Sequence, residues 1–413
     1  MSHSAGLADY RTALTTPGAR GPVLSALVGR LPIAMVGLSM LLYVQRATGS
    51  FAIAGLVSAG SLVGVAVGSV AQGRIMDRVG PTRPLLITSA VFTAFVALGV
   101  LAIESHASTF VLVTLGFAIG TTEPMIGSAS RAMWTRLLPP GSARNAALAY
   151  ESISMEVFFI LGPALAGLLV AMPWAGTGVV AASACMVAGG VSFALMPTVR
   201  TFRPDRAQVS GTGPLGALAA PGMRTVALAA MGFGVTIGFI EVAVPAAATH
   251  AGNAPVGGLL LGLWSVSSVV FGVLYGVRPW PRAMSLRLPV LLGGFALTTL
   301  VLAIPTSLIG LGVALLLVGT LITPQATAHS AAIELVAPKG TATEAFGWVI
   351  TAVTLGLALG QSVSGYLVEN VSLTSSYFAA SAAGLLFAGI VYARRDTVVD
   401  MHTAPSVREP ALV

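Results

Sequence analysis

Apolar residues in this chain run on for about twenty positions at a time, twelve times over, with polar residues gathered between the runs. At 1.5 Å per residue, runs of that length cross a hydrocarbon core of about 30 Å as α-helices. The predicted spans are Val23–Tyr43, Phe51–Gly73, Leu85–Ile103, Thr109–Met133, Ala146–Met172 and Thr177–Met196, then Val226–Ala248, Val256–Val277, Leu288–Ile304, Ser307–Ala331, Ala345–Val368 and Tyr377–Ala393. Lipid supplies no hydrogen bonds to a backbone, and the runs lack the two-residue alternation of barrel strands, so helix is required. Gly and Pro inside the runs are tolerated in membrane helices.

Polar positions also divide the chain. The longest polar segment, Pro197 to Arg224, holds Pro204, Pro214, Pro221 and four Arg, and reads as a linker between six spans and six. The expected organisation is a tail over residues 1–22, a six-helix bundle over 23–196, a linker over 197–224, a second bundle over 225–393 and a tail over 394–413. Internal repetition supports the division. Gly120-Thr121 recurs as Gly319-Thr320, and the turn Pro139 to Ala143 as Pro338 to Ala342, both displaced by 199 residues. Gly162 and Gly167 recur as Gly360 and Gly365 at 198, and Gly55 and Gly73 as Gly258 and Gly276 at 203. Near-constant offsets fit two parallel repeats with a site at their interface.

Composition removes the soluble alternatives. Of 413 residues, 55% are hydrophobic and 8% charged, against about 25% charged in soluble domains. Among 21 Lys+Arg, 19 fall on the tails and on alternate turns, Arg46 stands alone on the opposite side and Arg30 lies inside a span. By the positive-inside rule both termini are cytoplasmic. The preference for Arg over Lys, with abundant Ala, Gly and Val, suits a GC-rich bacterial genome, and the expected location is the bacterial cytoplasmic membrane. The net charge of +7 sits on short turns, so membrane lipid headgroups rather than nucleic acid are the expected counter-charge. The first 20 residues hold no signal-peptide h-region, and the single Cys185 excludes an intrachain disulfide. The five His are scattered, and neither a phosphate-binding loop nor G-x-S-x-G occurs, so no metal, no cofactor and no enzyme activity are expected.

Two motifs carry a resemblance. Gly73-Arg74-Ile75-Met76-Asp77-Arg78-Val79-Gly80-Pro81-Thr82-Arg83 is similar to the G-x-x-x-D-R-x-G-R-R signature of the major facilitator superfamily, departing from it at Pro81 and Thr82. The resemblance implies an all-α fold of twelve transmembrane helices in two pseudo-symmetric six-helix bundles. It also implies a cytoplasmic gate at Gly73, Asp77, Arg78, Gly80 and Arg83. Gly162-Pro163-Ala164-Leu165-Ala166-Gly167 resembles the G-P-x-x-G-G run of the drug/proton antiporter branch, with Ala166 in place of Gly. There Pro163 loosens the helix, and Gly162 and Gly167 allow close approach.

Ionisable groups inside spans are costly, and usually face a cavity or a partner. They are Arg30, Glu123, Glu151, Glu156 and Glu241. Arg30, Glu123 and Glu156 lie at a common depth, about 10 to 15 Å from the cytoplasmic boundary. One Arg with two Glu leaves a carboxylate free to carry a coupling proton, Glu123 first and Glu156 second. The resemblance places the first and fourth helices against the cavity, but the antiporter branch carries Arg where Glu123 stands, so the proton role comes from the residues and not from the family. Glu241, followed by Pro245, is expected to contact substrate or a second proton; Gln325, Gln361, Trp264 and Trp348 are expected on the cavity wall. Trp134, Trp174 and Trp280, at span ends, read as interfacial anchors. The expected function is proton-coupled efflux of a small organic compound or drug by a monomer, with substrate, protons and lipids as partners. Uptake of a sugar or organic acid, and a non-transporting receptor or lipid-binding scaffold, are the alternatives.

Overall fold

The computed structural model describes residues 7–139, 141–201, 216–277, 282–338 and 342–400, and the side chains of Asp77, Arg78 and Glu156 lie outside the described residues. No strand occurs among the described residues. The helices are α1 (Leu7–Thr15), α2 (Arg20–Arg30), α3 (Ile33–Thr48), α4 (Phe51–Val79), α5 (Thr82–Glu104), α6 (Thr109–Thr122), α7 (Ile126–Leu137), α8 (Ser142–Val170), α9 (Thr177–Leu195) and α10 (Pro197–Arg200). The second bundle holds α11 (Pro221–His250), α12 (Ala254–Val277), α13 (Met284–Thr298), α14 (Leu308–Gly319), α15 (Ile322–Val336), α16 (Ala342–Asn370) and α17 (Leu373–Ala393).

Eleven stretches of described residues are long and apolar enough to cross a membrane. The fifth predicted span lies in the 29-residue α8, apolar over Val157–Val170, where Arg144, Glu151 and Glu156 make its first half polar. Three spans are one α-helix in the sequence pattern but two in space: α2 and α3 meet at a kink over Leu31 and Pro32, α6 and α7 at Glu123 to Met125, and α14 and α15 at Thr320 and Leu321. The ninth span gains length from a 3-10 turn over Thr299–Ala303. The expected N-terminal tail folds in part, because α1 packs on α8 and Ser142 Oγ donates to Asp9 Oδ1 at 2.7 Å.

The perimeter is apolar, with Ile309 84% and Phe110 80% exposed. Where lipid is the solvent, burying such residues gains little, and helices hold together through close packing of small residues. That packing repeats between the halves. Gly120 of α6 abuts the main-chain oxygen of Ser61 on α4, and Gly319 of α14 abuts that of Trp264 on α12, with no room for a Cβ at either. Ser61 and Trp264 stand 203 residues apart, the offset that also relates Gly55 to Gly258.

The halves meet along two seams, α4 with α16 and α8 with α12. A Cβ on Gly55 would stand 2.6 Å from Gln361 O, and one on Gly365 2.5 Å from Phe51 O. At the other seam a Cβ on Gly167 would stand 2.5 Å from Pro255 O, and Gly258 abuts Pro163 O. All four glycines lie near the helix ends remote from the termini, here termed the distal end. Inward of the first seam, Ala59, Gly60 and Val63 of α4 with Met231 of α11 and Leu355, Ala358, Leu359 and Ser362 of α16 line an open crevice of about 330 Å³.

Candidate functional site

Arg30 ends α2 just before the Pro32 kink and is 2% exposed. Its guanidinium pairs with the carboxylate of Glu151 on α8, donates to the Glu151 main-chain oxygen at 3.1 Å, and lies 5.8 Å from the Phe158 ring centroid. Glu151 Oε1 also accepts from Ser130 Oγ at 2.6 Å and Trp134 Nε1 at 2.9 Å on α7. Among the described side chains the partner of Arg30 is therefore Glu151 and not the expected Glu123. Common depth does not fix a helix face, and the side chain of Glu156 lies outside the described residues. Trp134 is likewise no interfacial anchor, being 0% exposed and bonded to Glu151. Trp174 does sit at the distal end, 42% exposed, donating to Glu104 Oε1 at 2.7 Å; Trp280 lies outside the described residues.

Glu123 occupies the gap between α6 and α7, with φ −54° and ψ 122°. Pro124 supplies no amide hydrogen, so the helix cannot run through. The Glu123 side chain is 8% exposed, and among the described residues its carboxylate accepts no hydrogen bond and forms no ion pair. Gln72 of α4 reaches into the gap, donating from Nε2 to Thr121 O at 3.0 Å and Glu123 O at 2.9 Å. Nothing in the local sequence marks Gln72; it reaches the gap because Gly64 and Gly68 bring α4 against Phe117 and Thr121 of α6.

A second polar group lies towards the distal end. Gln361 of α16 donates from Nε2 to Glu241 Oε2 of α11 at 2.8 Å, and Ser58 of α4 donates to Gln361 Oε1. Gln361 thus joins two of the predicted residues and ties them to the opposite half. Gln325 of α15 is fully buried against His329, their Nε2 atoms 3.1 Å apart, and does not join Glu241. Trp264 is buried in the main apolar core and Trp348 packs on a second apolar cluster.

Glu369, at the end of α16, crosses the same seam. Its carboxylate accepts from Ser50 Oγ and, at 2.8 Å, from Ala52 N–H at the start of α4. A carboxylate at a helix N-terminus meets unsatisfied N–H groups and the positive end of the helix dipole. Glu369→Gln is expected to raise the population with a separated distal end roughly two- to tenfold, the equivalent of about 0.5–1.5 kcal/mol. Spin-label distances between Ser108→Cys and Val371→Cys in a Cys185→Ser background measure it.

At the opposite end α4 runs through the motif to Val79 and stops at Gly80, whose φ of 82° favours glycine. Gly73 is helical with open space around it, and Arg83 is exposed in the first turn of α5. The side chains of Asp77 and Arg78 lie outside the described residues. In the second motif, Gly162 abuts Ala34 of α3 while Pro163 and Gly167 abut α12, so the run lies where three helices and both halves meet.

Carboxylates and amides buried at mid-span, inside an apolar perimeter and beside seams between two like bundles, are what a membrane transporter needs and a structural membrane protein does not. The comparisons agree. A family model described as Major Facilitator Superfamily matches residues 23–322, and the chain belongs to that superfamily, which is one of transporters and not of enzymes. It is 25% identical over 272 residues to the uncharacterized MFS-type transporter y4rN of Sinorhizobium fredii (strain NBRC 101917 / NGR234), a match covering 64% of this chain and 66% of that protein, just under two thirds of its length.

Among solved structures it is similar to a nucleoside transporter NupG mutant, with TM-score 0.73 and 14% identity over 91% of this chain and 99% of that one. It is similar to a peptide transporter POT mutant, with TM-score 0.69 and 13% identity over 97% and 99%. A bacterial homolog of the human lysosomal transporter Spinster, inward-facing and occupied, gives TM-score 0.65 and 15% identity over 92% and 96%. At such identities the likeness is one of fold.

Proposed function

We propose that the protein is a proton-coupled exporter of a small organic compound, working by alternating access between its halves, with Glu123 as the proton carrier. The observation that carries this reading is the Glu123 carboxylate, buried and unbonded among the described residues at a broken span. Arg30, the cation nearest in depth, is committed to Glu151. A carboxylate buried in this way is costly when charged and cheap when protonated, so proton binding and release change the stability of the surrounding packing. Glu241, tied through Gln361 to Ser58, is a second carboxylate placed to read whether the distal seam is shut.

Orientation follows the positive-inside rule: both termini are cytoplasmic, the distal end faces outward, and the chain is a monomer in a bacterial cytoplasmic membrane. The bundles extend over 23–196 and 225–393 with the linker over 197–224. With the distal seams shut, the crevice inward of Ser58 is the start of an inward-opening path. Asp77 and its neighbours close the cytoplasmic end in the other state. The likeness of the Gly162 to Gly167 run to the antiporter-branch motif is what favours the antiporter reading over uptake.

Two measurements test this. The distal spin-label distance of the wild type should respond to pH between about pH 5 and 9, and in Glu123→Gln it should not; a retained response removes Glu123 from the role. In proteoliposomes an imposed proton gradient should drive ethidium, as a reporter cation, against its own gradient. Transport of sugars or organic acids with the proton flux instead would establish uptake.

A further inference from the structure

In an unbroken helix the Met125 N–H would bond to the Thr121 carbonyl, four residues back. Here the side-chain amide of Gln72 stands between them: Oε1 accepts from Met125 N–H at 3.3 Å, and Nε2 donates to Thr121 O at 3.0 Å and to Glu123 O at 2.9 Å. Both N–H donors of the amide and its oxygen are used, and the residue is 5% exposed. A buried chain break without such a partner leaves main-chain groups unsatisfied. The Glu123 N–H bonds back to Gly120 O at 3.3 Å, so both polar main-chain groups of Glu123 are held while its carboxylate is not.

We propose that Gln72 is a positioning residue for Glu123: by splinting the α6–α7 break from α4, it sets the direction in which that carboxylate meets protons. The inference rests on the reading of Glu123 as proton carrier. Gln72 also lies five residues before Asp77 on the same helix, so a movement of α4 at the cytoplasmic gate reaches the Glu123 backbone through one side chain. Among the described side chains, no other charge around the break substitutes for it, and that of Glu156 on α8 lies outside them. Arg30 of α2 and Glu151 of α8 bond each other, and Arg131 of α7 is exposed. On α5 the ionisable groups are Arg83 and Glu104, at its ends, and on α4 they are Arg74, Asp77 and Arg78, beyond Gln72, with side chains outside the described residues.

The test is the pH titration of the distal spin-label distance in purified full-length protein, needing no substrate. Gln72→Met keeps the volume and removes all three bonds; its midpoint is expected to move by about one pH unit, tenfold in apparent proton affinity, or the response to vanish. Thermal unfolding monitors folding. Should Gln72→Met fail to fold, Gln72→Asn, which keeps the amide one methylene shorter, is measured in the same way. A folded variant with the wild-type midpoint overturns the inference, as does failure of both variants to fold, which makes Gln72 structural alone. Glu123→Gln separates the two levels: a pH response that survives it refutes the proton-carrier reading whatever Gln72 does, whereas one lost there and unchanged in the Gln72 variants refutes the positioning alone.

Discussion

Arg30→Met should destabilise the folded protein by about 3–5 kcal/mol, and the double variant Arg30→Met/Glu151→Leu by far less. Removing the guanidinium strands the Glu151 carboxylate at 1% exposure with only Ser130 and Trp134 as partners. Two hydroxyl or indole bonds do not replace a cation. Removing both charges leaves no buried ion, only the Ser130 hydroxyl and Trp134 indole without their acceptor, so most of the penalty disappears. Thermal unfolding in detergent, run on both singles and the double, gives the coupling energy between the sites. A double variant no more stable than the worse single would mean that the pair is not the source of the effect. The same pair fastens α2, α7 and α8 to one another, so the singles should lose their fold before they lose transport.

Gly258→Ala should open the distal end, although alanine is the better helix former by about 1 kcal/mol. Its Cβ would press on the main-chain oxygen of Pro163, which no rotamer change can move away. Overpacking of that kind costs about 1–3 kcal/mol, a shift of roughly 5- to 150-fold in the balance between closed and open. Gly55→Ala, at the matching place on the other seam, should do the same against Gln361 O. Gly37→Ala is the control, since open space surrounds that position. Spin-label distances at the distal end report the result; an unchanged distribution in Gly258→Ala would mean that the seam does not govern closure.

The spans were readable because lipid enforces them: length and apolarity leave few arrangements. The repeat was readable for a similar reason, since Gly55 and Gly258 are needed by the same contact made twice. Side-chain pairing was not. Depth along a helix follows from counting residues, but which neighbour a face meets depends on rotation and on breaks such as those at Pro32 and Pro124. Thus Arg30 was matched in depth with Glu123 and Glu156 but meets Glu151. Trp134 stood one residue beyond a predicted span end and turned out to lie inside, because α7 continues to Leu137. Gln72 had no signal of its own, and its role is visible only once Gly64 and Gly68 bring α4 onto α6.

The glycine seams have a consequence for the energy of switching. They join backbone to backbone, through close approaches to carbonyl oxygens worth about 0.5–1 kcal/mol apiece, and their polar members, Ser58 with Gln361 and Glu369 with Ser50, exchange one another for water once parted. Little interlocked apolar surface has to be torn open. Under the proposed alternating access, a cargo or proton that prefers one state by about 1.4 kcal/mol shifts its occupancy tenfold.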